Sequence, residues 1–121
     1  GDYKALSLAV SLGTVRSRTY YQQVVNLSNT ESQSGTLYYD GTRVWVSETY
    51  RGFTGSHRCQ IERASIFSVT PQNCYESGSS SRKTLSQQWL FTVTVNAGAV
   101  SLPFSWSETY SLNVDAYGQT W

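Results

Sequence analysis

Residues 89–106 read Trp-Leu-Phe-Thr-Val-Thr-Val-Asn-Ala-Gly-Ala-Val-Ser-Leu-Pro-Phe-Ser-Trp. Trp89, Phe91, Val93 and Val95 share one parity and Thr92 and Thr94 the other, the two-residue period of a strand with one buried face. Asn96-Ala97-Gly98 suits a short hairpin loop. Beyond it Val100, Leu102, Phe104, Trp106, Tyr110, Leu112 and Val114 hold the even positions, interrupted at Glu108. Pro103 lies on the opposite parity and has no N–H to give to a ladder, so it marks a sheet edge or a bulge. A long antiparallel pair is expected through the last third of the chain.

The same period extends upstream. Tyr3 to Leu12 reads as a strand, with Leu6, Leu8, Val10 and Leu12 on one face, ended by Gly13. Val15 to Leu27 reads as a second. Asn26 to Gly35 is rich in Asn, Ser and Gly and reads as a loop. Thr36 to Tyr50 reads as a hairpin turning on Asp40-Gly41, a dipeptide suited to a two-residue type I′ turn. That turn predicts Tyr39 opposite Thr42 and Leu37 opposite Val44. Leu37, Tyr39, Val44 and Val46 then share one face, and Tyr38, Arg43 and Trp45 the other. Arg51 to His57 reads as a loop. Arg58 to Val69 reads as a strand stopped by Pro71, and Gln72 to Arg82 as a mobile loop tethered by Cys74. No segment repeats apolar residues at helical spacing over three turns. Seven to nine short strands separated by turn residues predict an all-β fold. The expected form is a single antiparallel β-sandwich over residues 1–121, with a jelly roll as one arrangement that fits.

Composition narrows the function classes. The 121 residues carry nine basic and eight acidic side chains, too even a balance for an electrostatic footprint on nucleic acid. No apolar run nears the roughly 18 residues of a transmembrane helix. Cys59 and Cys74 allow one pairing, and a bridge between them points to an oxidising, extracellular or cell-surface setting; two buried free thiols are the alternative. The chain begins at Gly1 and contains no Met, which suits a processed or excised segment. Ser, Thr, Asn and Gln far outnumber the two lysines, a polar, weakly charged surface common on secreted proteins. Asn26-Leu27-Ser28 is a glycosylation sequon.

Chemistry-bearing patterns are few. His57 is the one histidine, no G-x-S-x-G elbow or phosphate loop occurs, and neither a cofactor nor a metal set is expected. Val46-Ser47-Glu48-Thr49-Tyr50 and Trp106-Ser107-Glu108-Thr109-Tyr110 share four residues, which fits coincidence in a Ser- and Tyr-rich chain better than duplication. Glu48 and Glu108 sit on otherwise apolar parities. Three readings are open: a carboxylate pair for glycoside chemistry, acids at strand ends that both point to solvent, or acids paired with an arginine such as Arg43 or Arg63. Aromatic residues number 4 Trp, 9 Tyr and 4 Phe, so most rings carry a polar handle. Tyr38, Arg43 and Trp45 form the best local patch, with three roles open: core packing, a protein interface, or stacking on a sugar. The function expected is a non-enzymatic binding module for a protein or glycan surface. A subunit that self-assembles through poorly guarded edge strands, giving a homo-oligomer, and a small toxin or membrane-active protein are the alternatives.

Overall fold

The computed structural model describes residues 13–26, 29–63 and 68–121. The strand expected at Tyr3–Leu12 lies outside them, as do Leu27 and Ser28 of the sequon. The described residues form nine strands: β1 (Arg16–Asn26), β2 (Asn29–Tyr39), β3 (Val44–Trp45), β4 (Thr49–Tyr50), β5 (Phe53–Thr54), β6 (Ser56–Arg63), β7 (Ser68–Gly78), β8 (Arg82–Ala97) and β9 (Val100–Asp115). All pairings are antiparallel. β2 is the centre of the first sheet, with β1 along one side and β6 and β3 end to end along the other. β7, β8 and β9 form the second sheet in that order, and β4 and β5 make a small separate ribbon.

The two larger sheets face each other across an interior of three zones. Tyr20, Leu37, Val44 and Val46 from the first sheet pack on Leu85 and Val114 from the second. Val69, Trp89 and Phe91 form a second apolar cluster, joined by Cys59, Trp106 and Tyr110. Between the clusters lies a layer of amides. Gln33 Nε2 donates to Gln22 Oε1 at 2.6 Å and to the Leu85 carbonyl at 2.9 Å. Gln87 Nε2 donates to Gln22 Oε1 at 3.1 Å, and Gln87 Oε1 accepts from Trp89 Nε1 at 2.9 Å. Gln33 and Gln87 are fully buried, so these partners replace the water they gave up.

Several expectations change. Asn26–Gly35 is not a loop: from Asn29 onward it is the first half of β2. β1 and β6 satisfy its backbone on both sides, and the polar side chain of Gln33 finds its partners in sequence-distant strands. The hairpin on Asp40-Gly41 pairs Tyr39 with Val44, not Thr42. Asp40 Oδ1 accepts from the backbone N–H of Thr42 and Arg43, at 3.0 and 2.8 Å, which builds a four-residue loop with Gly41 at φ +90°. The displacement is two residues, so the faces stay as expected. Within Arg51–His57, Arg51 and Gly52 turn β4 into β5 at φ 53° and 83°, and β6 begins at Ser56. Pro71 does not end its strand. It sits in β7, a sheet margin where a missing N–H costs least, beside an irregularity between Pro71 and Asn73. Most of Gln72–Arg82 is strand as well, and the serine turn that follows is pinned, with Ser80 and Ser81 carbonyls accepting from Val44 and Ala116. The β8–β9 turn is Gly98-Ala99, because Ala97 still pairs with Val100.

One glycine is fixed by a crossing side chain. The Tyr20 hydroxyl reaches over Gly35 to the Ser56 carbonyl at 2.9 Å, and a Cβ on Gly35 would lie 1.9 Å from that carbonyl oxygen.

Cys59 on β6 and Cys74 on β7 form a disulfide, Cα to Cα 6.0 Å, that ties the margin of one sheet to the margin of the other. Replacing both cysteines with serine is expected to lower stability by about 3 kcal/mol, the loop-closure value for a bridge of this span. Urea unfolding of the oxidised protein and the variant checks this; equal midpoints would show that packing alone holds the margins together.

Candidate functional site

Tyr38, Arg43 and Trp45 lie together on the outer face of the first sheet. The Tyr38 and Trp45 rings stack at 6.1 Å with an interplanar angle of 19°. The β4–β5 ribbon folds over them. Tyr50 meets Trp45 edge-on at 4.9 Å, Phe53 meets Tyr38 at 5.1 Å, and Trp45 Nε1 donates to the Phe53 carbonyl at 2.9 Å. Trp45 is thereby fully buried, while Tyr38 and Arg43 are half-buried. The Arg43 guanidinium lies 4.1 Å from the Tyr50 ring centroid and 3.0 Å from Glu48 Oε2. Lys83 stands 3.2 Å from Glu48 Oε1. Glu48 is thus an acid paired with Arg43, one of the readings its parity left open. Two large-residue faces on one hairpin therefore have a packing cause: one closes the sandwich, the other a small core under the ribbon.

Asp40 anchors this end of the molecule. An open cleft beside it is lined by Thr14, Arg16, Tyr39, Ala116 and Tyr117. Burial pushes the Asp40 carboxyl up, but the N–H groups of Thr42 and Arg43 and the Arg51 guanidinium outweigh it and hold the group below its ordinary value. In Glu48, burial likewise pushes up and is outweighed by Lys83 and Arg43.

The disulfide brings His57 Nε2 within 3.7 Å of Cys74 Sγ, and the donor atoms of His57, Cys59 and Cys74 all lie within 4.8 Å of one another. The sulfurs are bonded to each other, which leaves one imidazole where structural zinc needs four ligands. Gln33 presents Oε1 to His57 at 2.7 Å because its amide nitrogen is committed elsewhere, so Nε2 of the ring carries the proton. Burial pushes His57 below its ordinary value, against the pull of the Glu76 carboxylate 3.9 Å from Nδ1.

Glu108 faces the interior from β9, far from Glu48. Its Oε2 accepts from Asn26 Nδ2 and from the Tyr110 hydroxyl. The sequon nitrogen is thus engaged within the sandwich, and a glycan there would have to displace that contact. Burial, then the hydrogen bond to Glu108, pushes the Tyr110 phenol up. The sequence reading missed Glu31. It is fully buried on the inner face of β2, and neither carboxylate oxygen has a hydrogen-bond partner. Burial, followed by the charge of Glu108, pushes Glu31 up. Counting back from Leu37 by twos reaches Gln33 and Glu31, and that parity was the available signal.

A further exposed apolar feature lies on neither patch. Among the described residues, β7 pairs with β8 from Ser68↔Thr92 inward, and the stretch of β8 and β9 beyond that pair forms an arm. Val93↔Phe104, Val95↔Leu102 and Ala97↔Val100 are cross-strand pairs on the face that carries Trp89 and Phe91 further back. Val95, Val100, Leu102 and Phe104 are 46, 55, 44 and 53% exposed. No charged residue falls between Lys83 and Glu108.

Two outcomes follow from this geometry. Trp45→Ala should cost about 3–5 kcal/mol, the range for emptying a buried aromatic site, seen as a lower urea midpoint; a midpoint within experimental error of the parent would place that ring outside the core. Asp40→Ala should cost about 1.5–3 kcal/mol at neutral pH, the worth of charge-assisted hydrogen bonds. Because the folded carboxyl lies below its unfolded value, its contribution is complete above about pH 4 and fades as pH falls through the folded value. Parent and variant stabilities should therefore converge in acid, and a gap that stays constant to low pH would refute the assignment.

Among the described residues, no helix is long and apolar enough to cross a membrane. No protein-family model matches the chain, and no curated protein or solved structure matches it.

Proposed function

We propose that the protein is a non-enzymatic binding module of the cell surface or extracellular space, and that it engages an apolar protein surface through the arm of β8 and β9. The observation that carries this reading is the exposed strip of Val95, Val100, Leu102 and Phe104, aligned on one face of paired strands. Scattered surface apolar residues need no explanation, whereas a contiguous strip marks a contact site. The disulfide is in keeping with an oxidising setting.

The arm favours protein over glycan as the partner. The strip itself is aliphatic apart from Phe104 and brings no hydrogen-bonding group for hydroxyls, while Thr94, Asn96, Ser101 and Ser105 lie on the opposite face. The Tyr38 and Trp45 rings, which suit sugar stacking, are spent on each other and on the ribbon. Self-assembly through the same arm is a second reading. β9 is the margin of its sheet among the described strands, and its stretch from Val100 to Ser107 has no charged residue to guard it, with Pro103 its one blocking residue.

A paired comparison tests both readings. Leu102→Asn with Phe104→Asn should leave the urea midpoint near that of the parent, since both side chains are half exposed. On arrays of extracellular proteins and of glycans, the parent should bind protein spots that the double variant loses by more than about tenfold. Light scattering over a range of concentrations reports self-assembly, which the variant should abolish. Binding confined to glycan spots, or binding and assembly state equal in the two proteins, would overturn the arm as the contact.

A further inference from the structure

We propose that the inter-sheet space between Glu31 on β2 and Glu108 on β9 binds a hard divalent cation of the calcium class. The first support is the state of Glu31. Its side chain is fully buried, and no side chain donates to either of its oxygens, which only its own backbone N–H acts to hold ionised. An ionised carboxylate in that setting costs several kcal/mol unless a counter-charge is supplied. The charged group that acts on it most strongly is Glu108, a second negative charge. Asn26, which donates to Glu108, lies two residues along β1 from Val24, the partner of Glu31, so the two carboxylates face one space, and among the described residues no lysine, arginine or histidine acts on Glu31 there.

The second support is the donor set. Glu108 Oε2 is held by Asn26 Nδ2 and by the Tyr110 hydroxyl. Among the described residues, that leaves Glu108 Oε1 and both oxygens of Glu31 without a side-chain donor. Tyr110 is in turn within the electrostatic reach of Glu31, so the four groups form one constellation. Its free donors are carboxylate oxygens, with no imidazole or thiolate among them. Such a set selects calcium or magnesium over zinc or copper. Calcium tolerates an irregular arrangement and a bidentate carboxylate, whereas magnesium demands a near-ideal octahedron. Asn26 and Glu108 are only half-buried, so the space opens to solvent on that side and water can complete the coordination. Two carboxylates with water as the remainder predict an affinity in the range of extracellular modules, about 0.1–1 mM.

The arrangement also accounts for a feature that packing leaves unexplained. Glu31 lies opposite Val24 on one side and Ile61 on the other, near the start of β2 beside a register shift at Thr30, on an inner face where an apolar residue would be cheaper. A bound cation turns that expense into a site and joins the two sheets at the end opposite Asp40.

The test uses the intact oxidised chain. Thermal unfolding at neutral pH is followed in chelator and then across a calcium titration reaching about ten times the expected dissociation constant, at constant ionic strength. Terbium(III) is used as a luminescent stand-in that Tyr110 can sensitise. The expected results are a saturable rise in Tm with calcium and terbium emission that calcium displaces. Glu31→Gln and Glu108→Gln should each abolish both signals, and neither change removes a side chain that packs. A Tm indifferent to calcium together with absent terbium emission would mean that the pair holds a proton only, and would overturn the proposal. A calcium response that survives in both variants would overturn it too, by placing the ion elsewhere on the surface.

Discussion

The layer of buried amides between the sheets is the constraint on which the remaining structure depends. Gln22, Gln33 and Gln87 come from β1, β2 and β8, and Gln33 and Gln87 must both meet Gln22 because each is fully buried. An apolar core tolerates sliding, since one methyl group replaces another at small cost. An amide does not, because a slip of two residues would leave a donor or an acceptor empty at about 1–3 kcal/mol each. The layer therefore sets the register of β1 on β2 and the position of both against β8. It also separates the two apolar clusters, so that the sandwich has two cores joined by hydrogen bonds.

The same layer settles the chemistry of its neighbours. Gln33 spends its amide nitrogen on Gln22 and on the Leu85 carbonyl, so only its oxygen remains for His57. The imidazole is then held as a donor at Nε2, beside a disulfide that ties the open side of the sandwich. A histidine next to two cysteines invites a metal reading, and that reading fails for a physical reason: a sulfur already bonded to sulfur is not a thiolate. The buried acid that the amide layer leaves without a hydrogen-bond partner lies two residues away on β2, at Glu31.

Much of the architecture was legible in the chain because strands announce themselves by parity. The alternation of Trp89, Phe91, Val93 and Val95 against Thr92 and Thr94 located β8, and the even-numbered run from Val100 to Val114 located β9. The two faces of the hairpin at Leu37 and Tyr38 were also readable, even though its register was not. Asp40 turned the chain by accepting hydrogen bonds through its side chain, and a two-residue displacement leaves parity intact. What could not be read was β2. Asn29, Glu31, Ser32, Gln33 and Ser34 have the composition of a loop, and they are a strand because β1 and β6 occupy both of its sides. The partners that satisfy Gln33 lie 11 and 52 positions away, beyond the reach of any local pattern.

The aromatic patch shows how a sequence can point at the right residues and leave their role open. Tyr38, Arg43 and Trp45 do come together, on the expected face, and the four-residue ribbon of β4 and β5 then covers them. The ribbon pairs over only two positions, Thr49↔Thr54 and Tyr50↔Phe53, too few to stand alone. Trp45 supplies the surface it needs, and in return the ribbon takes Trp45 out of solvent. The second sheet shows the converse. Its inner face keeps the same apolar alternation past Phe91, but the opposing β1–β2 pair has already turned back at Asn26 and Asn29. Strand length, not composition, decides which of these apolar residues are core. Val93 to Phe104 carry the pattern of an interior without a sheet to face among the described strands, and a surface of that kind is completed by another molecule or left wet at the expense of solubility.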